Sequence, residues 1–128
     1  MIRQRRMKGA PKMILVVDDE QDVREIVAEI IAEMGFQVQS VDSGEEALNL
    51  MSKTPVDLVI SDVKMDGMDG LSLARRIRDH FPHLPLALMT ASPSDDLRRM
   101  LEERLFDSLL LKPFQMDELQ GMVQNLTS

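Results

Sequence analysis

Several polar side chains stand where short apolar runs of this sequence stop. Asp18, Asp19 and Glu20 follow Met13–Val17, Ser61 and Asp62 follow Val56–Ile60, Thr90 follows Leu84–Met89, and Lys112 follows Leu109–Leu111. Taken singly, each has an ordinary use. An acid after a strand caps a helix or faces solvent, and a lysine is a surface cation. Taken together they make a chemistry. Three carboxylates within a few ångströms (Asp18, Asp19 and Asp62) would repel one another and raise each other's pKa. A hard divalent cation removes that conflict, and an all-oxygen site suits Mg²⁺. Lys112 adds a cation for a transferring phosphoryl oxygen, and Thr90 a hydroxyl for another. A carboxylate nucleophile, a metal and a cation are the parts that in-line phosphoryl transfer uses. Gly67 and Gly70, after Asp62, permit a tight loop that brings a backbone carbonyl to the metal.

The apolar runs are of strand length and suit strands buried on both faces of a parallel sheet. A fifth, weaker run, Phe36–Val41, alternates apolar and polar residues as an edge strand would. Between the runs lie stretches of helical period. Val23, Ile26, Val27, Ile30, Ile31 and Met34 recur at spacings of three and four, and Gly35 follows as a helix stop. Ser43 with Glu46 forms a capping box ahead of Ala47, Leu48 and Met51. Leu71, Leu73, Ala74 and Ile77 carry a third helix to Phe81. A fourth, opened by Pro93 or Ser94, contains Leu97, Met100, Leu101 and Leu105, and a fifth runs from Met116 to Leu126. Five βα units in succession predict an α/β fold, an open and mostly parallel sheet with helices on both faces. Such folds bind ligands at the carboxyl ends of the strands, where the polar residues above stand.

Composition narrows the function. The chain has 128 residues, enough for one domain, with 44% hydrophobic and 29% charged residues. With no cysteine, thiolate metal sites, disulfides and cysteine nucleophiles are excluded. No apolar run reaches the length of a membrane span, about 20 residues. The net charge of −7 is uneven: residues 1–12 hold Arg3, Arg5, Arg6, Lys8 and Lys12 and no acid. That segment reads as a basic, disordered leader, and 13–128 as the domain. An acidic body does not suit direct nucleic-acid binding.

These residues resemble the receiver domain of two-component response regulators. The motifs that carry the resemblance are ILVVDDE at 14–20, DLVISDVKMDGMDG at 57–70, LMTA at 88–91 and LLKPF at 110–114, in order and at the strand ends. The resemblance covers about Lys12 to Leu126. It implies a flavodoxin-like (βα)5 sandwich with sheet order 2-1-3-4-5. It implies that Asp62 is the phosphoacceptor, taking a phosphoryl group from a sensor histidine kinase or phosphotransfer protein. Asp19 would ligate Mg²⁺ directly, with Asp62 beside it; Asp18 would orient metal-bound water, and Lys64 would offer its backbone carbonyl. Lys112 would pair with Asp62 and then with the phosphoryl oxygens, and Thr90 would carry the switch. Pro113 would follow a cis bond. A downstream protein partner would meet residues 94–126, in a cytoplasmic protein that is a monomer or a phosphorylation-dependent dimer.

The chain departs from the family's usual pattern in places. Leu109 stands where an aromatic is usual, three residues before Lys112, and reads as core packing. Asp66 stands where proline is common, four residues after Asp62, and Leu105-Phe106 replace a usual Gly-Ala. Phe106 reads as core. Lys64 and Ser92 occupy positions that tune dephosphorylation in the family; the Lys64 ammonium either shields a phosphoryl group or points to solvent. His80, His83, Arg75, Arg76 and Arg78 read as surface residues, and the 11 methionines, which lie largely on apolar stripes, as core filler.

Three function classes are to be weighed. A signalling receiver accounts for every feature and is not a turnover enzyme. A Mg²⁺-dependent aspartyl phosphohydrolase would place its nucleophile after the first strand with an aspartate two residues on, where this chain has Glu20, and would need a cap for which the chain is too short. A degenerate interaction module would have lost the acceptor, the acid pair or the lysine, and all are present. The cognate kinase and process are not legible, and the 128 residues suit a single-domain regulator or a segment of a longer one.

Overall fold

The stretch Met13–Val17 (MILVV) is apolar at every position, and all five residues are buried. It forms β1, an interior strand of a five-stranded parallel sheet, because only burial on both faces satisfies such a run. The structure, a computed structural model, describes residues 11–128. The expected basic leader therefore lies outside the described residues, except for Pro11 and Lys12.

The elements alternate throughout: β1, α1 (Gln21–Glu33), β2 (Gln37–Val41), α2 (Gly44–Met51), β3 (Leu58–Asp62), α3 (Gly70–His80), β4 (Leu86–Thr90), α4 (Asp95–Glu102), β5 (Ser108–Leu111) and α5 (Met116–Thr127). The sheet order is β2-β1-β3-β4-β5, every pairing is parallel, and the expected topology is thus observed. β2 is an edge strand, exposed at Gln37, Gln39 and Ser40.

Strand alternation divides the core in two. Leu15, Val17, Val59, Leu86 and Leu88 face α2, α3 and α4, packing with Ala47, Met51, Leu73, Ile77 and Leu97. Ile14, Val16, Leu58, Ile60, Ala87 and Met89 face α1 and α5, packing with Val27, Ile31, Leu119 and Val123. Phe106 is fully buried in the first cluster, and Leu109 packs against it, as expected of both.

Three boundaries move. β3 begins at Leu58 and β4 at Leu86, two residues later than the apolar runs suggest. Pro85 offers no N–H to the ladder, so its contribution is the carbonyl that accepts from Val59 N at 3.1 Å. Asp57, just before β3, meets Met13 twice: its N–H donates to Met13 O at 2.8 Å, and its side chain accepts from Met13 N at 2.8 Å. α4 ends at Glu102, short of Leu105. Its chain turns through Arg104 at φ 65°, and Leu105 N donates back to Met100 O while Arg104 N donates to Leu101 O. That pair of bonds closes the helix in a Schellman turn. Ser43 does accept from Glu46 N at 3.2 Å and caps α2.

Arg78 is a correction. It is not a solvated side chain. Its guanidinium donates to Leu84 O at 2.6 Å and to Asp107 Oδ2 at 2.8 Å, and Asp107 Oδ2 also accepts from Leu86 N at 2.9 Å. The network ties α3 to the segments that lead into β4 and β5. Arg75 and Arg76 are exposed as expected, as are His80 and His83.

Candidate functional site

Parallel strands deliver their last residues to one rim of the sheet. β1 ends one residue before Asp18, β3 ends at Asp62, β4 at Thr90, and β5 one residue before Lys112. The sequence-predicted residues Asp18, Asp62, Thr90 and Lys112 therefore share that rim, and all but Lys112 are buried.

Asp18 is fully buried, and each of its polar atoms has a partner. Its N–H donates to Val41 O at 3.2 Å, Oδ1 accepts from Glu20 N at 2.9 Å, and Oδ2 accepts from Lys112 Nζ at 3.2 Å. Its carbonyl accepts from Arg24 Nη1 at 2.8 Å. Asp62 is 6% exposed, and its Oδ1 lies 3.4 Å from Lys112 Nζ. Burial pushes the Asp62 carboxyl above its ordinary range; Lys112 opposes this, and the Asp18 charge adds to it. Burial pulls the Lys112 ammonium down, but Asp18 and then Asp62 outweigh it, and the net shift is upward. Lys112 is held as a cation between two carboxylates. Its own N–H donates to Thr90 O at 2.8 Å, and the Lys112–Pro113 bond is cis, as the resemblance implied. Thr90 Oγ1 accepts from Ser92 N at 3.0 Å, which leaves its hydroxyl proton free to be directed at the rim.

Gly70 sets the position of Asp62. A Cβ on Gly70 would lie 2.2 Å from Asp62 O, so only glycine lets α3 begin this close to the end of β3. Gly67 takes φ 76° in the intervening loop. Lys64 is exposed on that loop and lines a cleft of about 460 Å³ with Asp19, Val63, Met65, Asp66 and Asp69.

The donor set fits a hard cation, with one change of member. One oxygen each of Asp18, Glu20 and Asp62 lie within 4.8 Å of one another. Asp19 is not in that group among the described residues; its Oδ2 accepts from Asp66 N at 3.1 Å. Glu20 is the residue that sequence reasoning left out. As the N-cap of α1 it reads as a helix-terminal acid, yet its side chain makes no capping bond. The bond from its own N–H to Asp18 Oδ1 closes a turn that keeps Glu20 at the rim. Arg24 was also missed, because its part is played through a backbone carbonyl that has no sequence signature.

Residues 14–124 match the family model described as response regulator receiver domain. The chain is 40% identical over 109 residues to the sensor histidine kinase RcsC of Salmonella typhi, covering 84% of this chain and 11% of that protein. It is 37% identical over 118 residues to the DNA-binding transcriptional regulator NtrC of Escherichia coli K12, covering 91% of this chain and 25% of that one. The chain thus spans a quarter or less of these curated relatives. Among solved structures, chemotaxis protein CheY4 of Vibrio cholerae superposes with a TM-score of 0.86 at 27% identity, covering 91% of this chain and 99% of CheY4. The response regulator TrrA of Thermotoga maritima, solved in complex with Mg²⁺-BeF, superposes with a TM-score of 0.80 at 37% identity, covering 90% and 98% of the two chains. The fold, the rim of acids with its lysine, and these matches together show that the chain belongs to the response regulator receiver domain family of two-component signalling.

Proposed function

We propose that this chain is a phosphoacceptor: Asp62 takes a phosphoryl group from the phosphohistidine of a sensor kinase or phosphotransfer protein. The observation that carries this reading is the Lys112 ammonium at 3.2 Å from Asp18 and 3.4 Å from Asp62, beside three convergent carboxylate oxygens. An Asp62 oxygen attacks phosphorus in line, an O–P bond forms, and the P–N bond to the donor histidine breaks. The imidazole leaves with the electron pair. Lys112 moves from the Asp62 oxygen to the incoming phosphoryl oxygens, and the Thr90 hydroxyl donates to another of them. Asp18, Glu20 or Asp19, Asp62 and the Lys64 carbonyl would hold Mg²⁺. When bound, that ion neutralises charge on the phosphoryl oxygens as they approach the acids.

Phe106 is buried in the core and the partly buried Leu109 packs against that cluster, so signalling here passes through the Thr90–Ser92 segment and α4 rather than through an aromatic swing. The partner surface in this reading lies within residues 94–126. The site of action is the cytoplasm, and the domain 13–128 acts with no substrate of its own. Among the described residues no helix is long and apolar enough to cross a membrane.

Incubation with acetyl phosphate, with and without Mg²⁺, tests the reading through the intact mass. A Mg²⁺-dependent phosphoryl adduct on the native chain and none on D62N is the expected result. A folded protein that takes no adduct under either condition is instead an interaction module with an inert site.

A further inference from the structure

The Asp19 carboxylate and the Asp66 backbone meet across the cleft beside the acceptor. Asp66 N donates to Asp19 Oδ2 at 3.1 Å, while the oxygens that converge at the rim belong to Asp18, Glu20 and Asp62. The donor is a backbone N–H, which a proline at position 66 would lack. We infer that the Asp66 N–H is a latch on Asp19: it holds this carboxylate away from the cation site, and Asp19 joins the site only when that bond breaks. The inference rests on the acceptor reading above and deepens it, by naming the group that controls the cation site.

Charge explains why the latched arrangement is the resting one. Asp18 and Asp62 share a single Lys112 cation, and Glu20 already adds a third acid. A fourth carboxylate drawn inward without a cation would meet only repulsion. Asp19 is instead satisfied at the cleft, where an N–H to a charged acceptor is a stronger bond than one to a neutral oxygen. The neighbouring acids do not compete for that donor. Asp69 Oδ1 accepts from Ser72 N at 2.8 Å and caps α3, and the Asp66 side chain is exposed. Lys64, an exposed cation, lines the same cleft as Asp19.

Two substitutions separate the N–H from the side-chain charge. D66P removes the donor and the carboxylate together, whereas D66N keeps the donor and removes only the carboxylate. Calorimetric titration of the unphosphorylated protein with MgCl₂ reads the effect. D66P is expected to bind Mg²⁺ several-fold more tightly, up to about tenfold, the scale of one ordinary hydrogen bond. D66N is expected to show no gain. A folded D66P with unchanged or weaker affinity overturns the latch, and so does a D66N that gains as much as D66P. The native protein gives a second readout that needs no variant. Saturating Mg²⁺ should shift the Asp66 amide resonance and speed its hydrogen exchange; an amide that does neither overturns the latch. Because the titration is done without a phosphodonor, it decides the latch independently of whether Asp62 accepts phosphate.

Discussion

The Lys112 ammonium lies 3.4 Å from Asp62 Oδ1 and closer still, at 3.2 Å, to Asp18 Oδ2. One cation just beyond the last strand thus holds two buried acids, one just beyond the first strand and one at the end of the third. Lys112 is the group that lets two carboxylates coexist at the rim before any cation arrives.

Removing that charge leaves two acids facing each other in a poorly solvated pocket. K112M should lower folding stability by about 1–3 kcal/mol at neutral pH, the range for leaving a buried polar group without its partner. Because the Lys112 pKa is raised, its contribution is full below its ordinary 10.5 and is lost as pH rises through the higher folded value. Urea denaturation of both proteins checks this. Mg²⁺ should recover part of the loss, since it binds only the folded form. A K112M as stable as the native chain, with unchanged Mg²⁺ response, would mean that the pair carries no weight.

Asp62 works in the opposite sense. Its carboxyl titrates above the ordinary 3.8 when folded, chiefly because of burial. The folded chain therefore holds a proton that the unfolded chain has released, and stability falls as pH rises from 3.8 through the folded value. D62N lacks this penalty. Without Mg²⁺ it should be more stable than the native chain at pH 7. The gap should close in acid, where Asp62 is protonated. Thermal melts at several pH values decide it, and a gap that persists unchanged at low pH would contradict the origin assigned here.

Two glycines next to the site should respond differently to alanine. At Gly70 the new Cβ meets Asp62 O at 2.2 Å and Val63 Cα at 2.9 Å, both backbone atoms. At Gly44 it meets the Met68 side chain, with Sδ at 2.8 Å, which can turn away. G70A should cost about 3 kcal/mol or more and abolish the phosphoryl adduct, because the end of β3 must shift. G44A should stay within about 1 kcal/mol of the native chain and keep the adduct. Equal costs at the two sites would refute the distinction.

Arg78 and Asp107 offer a test far from the chemistry. Their contact, at 2.8 Å, joins α3 to the start of β5 at the end of the sheet opposite the acids. R78A and D107A should each destabilise by about 1–2 kcal/mol, and a double-mutant cycle should return a coupling of at least about 0.5 kcal/mol. Phosphorylation of Asp62 should be unaffected. A coupling near zero would reduce the pair to a surface contact.

Lys64 bears on the lifetime of the phosphate. Its side chain is exposed at the mouth of the cleft, where it can lie over a phosphoryl group on Asp62 and obstruct in-line water. K64A should then lose its adduct several-fold faster than the native chain, with unchanged folding. Equal decay rates, followed by mass, would leave Lys64 a solvated side chain.

The sequence by itself determined the fold class and most of the rim. Five apolar runs separated by helical periods admit few arrangements other than a parallel sheet, and chain direction then forces Asp18, Asp62, Thr90 and Lys112 to one end of it. Those are consequences of local pattern. The tertiary structure alone decided which acids converge. Whether Asp19 or Glu20 points inward depends on a turn closed by Asp18 Oδ1 and on an N–H offered across the cleft by Asp66. Arg78 changed from a surface residue to an anchor for the same reason: its partners are Leu84 O and Asp107, brought together only by packing. Periodicity records which face of an element is apolar. It does not record which backbone donor or acceptor a distant loop will present, and at this rim those donors set the direction of each carboxylate.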